Sequence, residues 1–210
     1  MSFSSDLVSK CGEYTNFAIY GVQIPYQLGA KNTPTAILSA IDSWRGSSSK
    51  TTAEIQAWMN NNRSKTGIDC SGLVYYVINE ASGGNVKSYF ESKLGVSLPY
   101  SYGISAANLT STSYGVKKTR AQDLTPGCTI RFDNGGHVLV IHTITKNSSG
   151  VVTKIYYTHS NGSIGPHSGM ITIGDQTKDL NSSSQTWSDS AYTDSTAKSL
   201  YNYSVLLNCI

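Results

Sequence analysis

The segment Gly67 to Ile78, GIDCSGLVYYVI, sets Cys70 between an acidic residue and a Ser-Gly pair and then runs on as an apolar stretch. A cysteine in the first turn of a helix meets free N–H groups and the positive end of the helix dipole, and both favour a thiolate over a thiol. A thiolate is a nucleophile; Gly72 would let a substrate backbone come close, and the N–H of Cys70 is a donor to an oxyanion forming beside the sulfur. A lone cysteine more often simply packs as a small apolar group, so the chemical reading needs a base.

Four histidines are available: His137, His142, His159 and His167. Five positions separate His137 from His142, so on an alternating strand they face opposite ways and only one can face a helix carrying Cys70. His137 follows Gly135-Gly136 directly, which puts its imidazole at a strand's start and within reach of a cleft; it is the expected base. His142 reads as a satisfied partner on the other face. A third polar group normally accepts the second ring N–H and fixes the tautomer. His159, ending the next strand of a meander, suits that role, although a strand-end surface histidine fits its position equally well, and Asn161 is a substitute. His167, among Gly, Pro and Ser, reads as a surface residue rather than a substrate-facing one.

The elements that must position these groups follow from periodicity and caps. Leu7, Val8, Cys11, Tyr14 and Ala18 give an amphipathic helix over residues 5–20, capped by Ser4 or Ser5. Thr33-Pro34 starts a second helix, and Thr51 with Glu54 has capping-box spacing for a third that ends at Asn60 to Asn62. Leu73, Val74, Val77, Ile78 and Ala81 form the stripe of the Cys70 helix, stopped by Gly83-Gly84. One more helix ends at Gly95, and residues 98–125 read as mostly irregular.

After Pro126 the texture changes to β-branched and aromatic runs, 128–132, 137–144, 151–159, 169–173 and 201–210, which read as meandering antiparallel strands. Residues 174–200 read as a polar surface excursion. Helices first and strands second is an α+β arrangement, expected as a single domain over residues 1–210.

The totals narrow the field. Charged residues make up 14% of the chain against a usual share of about 25%, and the Ser, Thr, Asn, Gly and Tyr that replace them are common in exported proteins. The net charge of +3 is spread without clusters, so no nucleic-acid footprint is present. No run approaches the roughly 20 apolar residues of a bilayer span, and Met1 to Lys10 lacks an apolar signal core. A soluble chain without membrane insertion is expected, delivered by a removed signal or by a dedicated secretion or lysis system. Cys11, Cys70, Cys128 and Cys209 show no metal-type spacing, so neither metal nor other cofactor is expected. Cys11 and Cys209 are either bridged, closing nearly the whole chain for about 4–5 kcal/mol on a chain-entropy model, or two small buried residues.

Several of these segments together resemble a known family. Asp69-Cys70-Ser71-Gly72-Leu73-Val74 is similar to the nucleophile motif of the NlpC-type cell-wall peptidases, a papain-like branch of the cysteine peptidases. Leu124-Thr125-Pro126-Gly127 resembles the turn before that family's first core strand, and Gly136-His137-Val138 its histidine strand. Tyr157-Thr158-His159 falls where the family has its third polar residue, and Ile24 to Gly29 (IPYQLG) resembles a segment whose tyrosine lies against the nucleophile. The matches run from about residue 24 to 162, in the family's order.

The resemblance implies N-terminal helices packed on a C-terminal antiparallel sheet and a triad of Cys70, His137 and His159, with Tyr26, Asp69 and Ser71 as substrate and oxyanion groups. It implies cleavage of peptidoglycan stem peptides beside D-glutamate. Two departures stand out: a helical insertion at about residues 31–66, and Cys128 in place of an acidic residue. Ser160 to Met170 and Tyr201 to Val205 more weakly resemble secreted bacterial amidase effectors of the same superfamily, in which a terminal disulfide is expected.

The expected activity is therefore that of a γ-D-glutamyl-type cysteine endopeptidase, a hydrolase acting outside the cytoplasm, in the periplasm or the cell wall. The alternatives are an N-acetylmuramoyl-L-alanine amidase or an acyltransferase using the same dyad, or a non-catalytic wall-binding module, which the 14 tyrosines would suit. The expected partners are peptidoglycan peptides, with room for an immunity or inhibitor protein, and the expected state is a monomer.

Overall fold

Capping chemistry punctuates the first half of the chain. In the computed structural model, which describes residues 2–98, 104–192 and 194–210, Ser2 and Ser5 cap α1 (Phe3–Thr15) reciprocally. Thr33 caps α2 (Pro34–Arg45), which has proline at its start, and Thr51 and Glu54 close a capping box over α3 (Thr52–Asn61). α1 begins and ends earlier than its periodicity suggests: Asn16 leaves helical geometry, and Tyr20, at φ 65°, sits in a separate 3-10 turn (Ile19–Gly21). A short α4 (Arg63–Thr66) follows, so the stretch from 31 to 66 holds three helices rather than two.

Next comes α5 (Cys70–Ala81), buried at ten of its twelve residues. Such a helix is held on all sides, and that fixes where its first residue, Cys70, can be. Gly84 at φ 90° separates it from α6 (Asn85–Leu94), a left-handed conformation that glycine takes without a Cβ clash.

Residues 98–125 are less irregular than their composition suggests. Residues 99–103 lie outside the described ones, but α7 (Ala106–Leu109) and β1 (Gly115–Lys118) follow. Then come β2 (Thr129–Phe132), β3 (His137–Lys146), β4 (Val152–Asn161), β5 (Gly165–Ile173), β6 (Trp187–Asp189), α8 (Asp194–Leu200) and β7 (Tyr201–Leu207). The sheet order is β1-β7-β2-β3-β4-β5-β6 with every pairing antiparallel. β2 to β5 form the expected meander, the unexpected β6 extends it, and β7, expected to continue the meander, instead returns to lie between β1 and β2. The described residues thus form an α+β fold with a seven-stranded antiparallel sheet.

Each face of the sheet carries its own core. Val138, Val140, Val205 and Leu207 pack with Leu7, Ile37, Leu73 and Val77 on the helical side. Leu139, Ile141, Ile155, Tyr157 and Ile171 point the other way and are covered by Leu180, Trp187, Ala197 and Tyr201. The polar segment 174–200 is therefore not a surface excursion. It folds over the second face and buries its few apolar side chains there, each large one contributing about 1.5–3 kcal/mol. No helix among the described residues is long and apolar enough to cross a membrane.

Candidate active site

Asp69 organises the entry to α5. As N-cap it accepts the N–H of Gly72 at 2.6 Å and the hydroxyl of Ser71 at 3.0 Å through Oδ1. Its Oδ2 accepts the N–H of Gly29 at 3.0 Å, and Lys31 Nζ lies 2.7 Å and 2.9 Å from the two oxygens. Lys31 also donates to the Ser71 hydroxyl. The carboxylate is buried, and all these partners belong to the protein itself. The knot ties the Leu28–Lys31 loop to the first turn of the helix.

Gly72 serves that loop rather than a substrate. A Cβ there would come within 2.8 Å of Ile68 Cδ1 and of Lys31 Cδ, so the space expected for an incoming backbone is already filled.

Cys70 is 5% exposed and lines a cavity of about 440 Å³ shared with Leu28, Gly29, Ser105, Ala106 and Gly136. The ladder between β3 and β4 starts only at Val140 and Thr158. Into its open end comes the segment leading to Cys70, held by Ser160 Oγ donating to Ile68 O at 2.9 Å. Backbone N–H groups of Val138 and Ser71 are directed at the sulfur. His137 therefore stands between two residues that border Cys70, with Gly136 on the shared cavity and Val138 on the sulfur.

Simple strand parity misleads at this point. Val138 and Val140 face the helices, so strict alternation puts His137 with Leu139 on the opposite face. The β3–β4 ladder stops short of Val138, whose N–H is the strand group that acts on the sulfur, and Cys70 Sγ and the His137 ring are not hydrogen-bonded to each other.

Burial pushes the Cys70 thiol pKa up; the N–H of Val138 opposes this, the Asp69 charge adds to it, and Lys31 and the N–H of Ser71 oppose it. The expected resting thiolate is thus replaced by a thiol. The helix end that would have stabilised a thiolate is already neutralised by Asp69, and desolvation outweighs the rest.

Behind His137 the histidines form a row. His137 Nε2 lies 2.7 Å from His159 Nδ1, and His159 Nε2 lies 2.7 Å from His167 Nε2. His167 Nδ1 lies 2.9 Å from Gly165 O. His159 is fully buried rather than a surface strand end, with Tyr192 Oη 3.4 Å from its Nδ1. His167 is likewise no loop residue: it belongs to β5 and pairs directly with His159. Counting the 159–167 hairpin symmetrically about Ser163 would have revealed that pairing.

Asn161 does not take the third position; its Oδ1 accepts the N–H groups of Ser163 and Ile164 in the turn. His142 bonds Thr143 Oγ1 at 3.0 Å, beside an irregularity in the β3–β4 register. Tyr26 is near enough to Cys70 and Asp69 for their charges to raise its pKa, after burial, which contributes most. With the ring nitrogens engaged on one another and on Gly165, no cluster among the described residues converges on a metal ion. Lys31, Tyr192 and His167 are the site neighbours that motif reading passes over.

The His137 pKa is lowered to about 4, chiefly by burial and secondly by charge on His167, with Asp133 and Asp69 opposing both. Burial also drives His159 well below its usual value, helped by charge on His137 and His167. Both rings are neutral at pH 7. Because the folded chain binds these protons less readily than the unfolded chain, stability is full above about pH 6.5 and falls as pH drops towards 4. Calorimetry should show Tm falling by at least about 5 °C between pH 7 and 4.5, an effect of roughly 2 kcal/mol in a chain of this size. A flat Tm across that window would contradict neutral buried rings.

Among α+β chains, this one is defined at its centre by a buried thiol at a helix start and a row of three imidazoles on the adjoining strands. Comparison with models of known families, with characterised proteins and with solved structures finds nothing that this chain matches.

All four cysteines are free. Cys11 is buried in α1 beside Thr158, and Cys209 lines a small cavity with Phe3 and Ile210, so of the two readings for the terminal pair the unbridged one holds.

Proposed function

We propose that the chain is a papain-like cysteine peptidase of the NlpC type that hydrolyses peptide bonds in peptidoglycan stem peptides, at the bond from D-glutamate to the diamino acid. One observation carries the reading: Cys70 lies against the N–H of Val138, and the adjacent His137 is hydrogen-bonded to His159. A structural cysteine has no need of that company.

The neutral thiol and neutral imidazole define how the reaction runs. His137 takes the thiol proton as the sulfur attacks the substrate carbonyl carbon, and the oxygen that gains the electron pair is met by the backbone N–H of Cys70 at the start of α5. The tetrahedral adduct collapses, the C–N bond breaks, and the His137 imidazolium protonates the departing amine. Water, deprotonated by His137, then hydrolyses the thioester to free acid and thiol. Such chemistry belongs to a cell wall or periplasm, where its substrate is.

The insertion reaches the substrate side as well. Gln56, Asn60 and Arg63, from α3 and α4, line a cavity of about 320 Å³ beside Tyr26. Those walls bear on which amide is cut.

Mass spectrometry of muropeptides treated with the purified chain tests the proposal. The expected new amino terminus is on the diamino acid. Release of intact stem peptide from the sugar would move the reading to an amidase, and an unchanged digest would remove the hydrolase reading.

A further inference from the structure

The histidine row ends on an atom that has no choice of role. Gly165 O only accepts, so His167 Nδ1 at 2.9 Å must carry a proton. When His167 carries that proton alone, its Nε2 offers a lone pair, and the 2.7 Å contact to His159 Nε2 requires the proton to sit on His159. That leaves His159 Nδ1 as an acceptor, and the 2.7 Å contact to His137 Nε2 is filled by a proton on His137. Tyr192 Oη lies 3.4 Å from the same His159 nitrogen, and a hydroxyl there can donate to it. Once His167 Nε2 is the acceptor, each step follows from the one before it, and the last leaves His137 Nδ1 bare.

We propose that His167 is a positioning residue for the base: anchored on the Gly165 carbonyl and acting through His159, it holds His137 as the Nε2–H tautomer, with Nδ1 free to take a proton. This deepens the peptidase reading and rests on it only for the catalytic meaning of Nδ1. The anchor is built into the backbone. Gly165 stands at φ 79°, and a Cβ there would lie 2.2 Å from Ile24 O, so the turn that presents its carbonyl is specific to glycine and packed against the Tyr26 segment. A third histidine in the row needs such an anchor, because a hydrogen-bonded pair of neutral imidazoles alone can hold its protons in either direction.

The test uses the full chain, the variants His167→Leu and His167→Gln, and nitrogen NMR of the imidazoles, which separates protonated from bare ring nitrogens. In the wild-type chain His137 should show Nε2 protonated and Nδ1 bare. His167→Leu removes the acceptor: His137 should become a mixture of tautomers, and kcat on muropeptides should fall about tenfold or more with KM unchanged, since a wholly wrong tautomer can cost up to about 10⁴. His167→Gln puts an accepting oxygen near the lost nitrogen and should restore both tautomer and most of kcat, which a merely structural loss would not allow.

A reversed His137 tautomer in the wild-type chain overturns the proposal without any variant, and so does an unchanged His137 tautomer in a folded His167→Leu chain. If the tautomers behave as stated but the wild-type chain cleaves nothing, the positioning role stands and the peptidase reading falls. If cleavage is seen with the tautomer reversed, the opposite holds.

Discussion

Replacing Cys70 by alanine should abolish muropeptide cleavage, by a factor on the order of 10⁴–10⁶, and leave the fold intact. The size follows from removing the only atom that forms a bond to the substrate, while whatever binding and oxyanion contacts remain give a small residual rate. The fold should survive because Cys70, though part of the helical-side core, lines a 440 Å³ cavity, so its loss enlarges a space that is already open.

Cys70→Ser should be nearly as inactive. The His137 ring is a weak base with a pKa of about 4, suited to taking a proton from a thiol and poorly matched to an alcohol. Cys128→Ala is the control: that thiol is wholly buried in the other core, against Thr125, and its removal should leave cleavage unchanged. Product analysis beside circular dichroism decides the matter, and cleavage by a folded Cys70→Ala chain at the wild-type rate would end the enzyme reading.

How far the sequence reveals this site depends on whether the signal is local. The starts of α2 and α3 are legible because Thr33-Pro34 and Thr51–Glu54 carry their capping chemistry within four residues. The Cys70 helix and its stop are legible for the same reason, an apolar stripe ending in glycine. β1 and β6 are not: GVKK and WSD have no alternation to detect and are strands only because β7 and β5 supply partners. The cover over the second face escapes notice because Leu180, Trp187 and Ala197 are isolated apolar residues in a polar run.

At the site, Cys70 and His137 stand out from type and spacing: parity lets only one of His137 and His142 face the Cys70 helix, and the Gly135-Gly136 turn before His137 favours that one. The β3–β4 ladder begins only at Val140 and Thr158, and where a pairing stops has no sequence signature. Lys31 lies 38 residues from Asp69 and meets it only in the fold. The resting protonation of the thiol is invisible for a related reason: a helix start argues for a thiolate, and only burial and the prior claim of Asp69 on the helix end argue against it.

Asp69→Ala should destabilise the chain by about 3–5 kcal/mol, a loss of roughly 10–15 °C in Tm. A lost N-cap accounts for about 1 kcal/mol of this. The remainder comes from Lys31, whose ammonium is 14% exposed and would keep only the Ser71 hydroxyl among the contacts described above. Asp69→Asn separates the two effects, because an amide oxygen can still accept the Gly72 N–H while the negative charge is gone; its Tm should fall between the other two.

A second substitution tests the cause. If the stranded ammonium dominates, Lys31→Met in the Asp69→Ala background should recover part of the lost stability, whereas Lys31→Met alone should destabilise by leaving the carboxylate unpaired. Additive losses in the double variant would show that the two side chains act independently and that the knot does not hold the loop to the helix. Cleavage should fall along with stability in Asp69→Ala, since this carboxylate, beside the Asp69 N–H bond to Ala30 O, fastens the first turn of α5 and its sulfur to the Leu28–Lys31 loop.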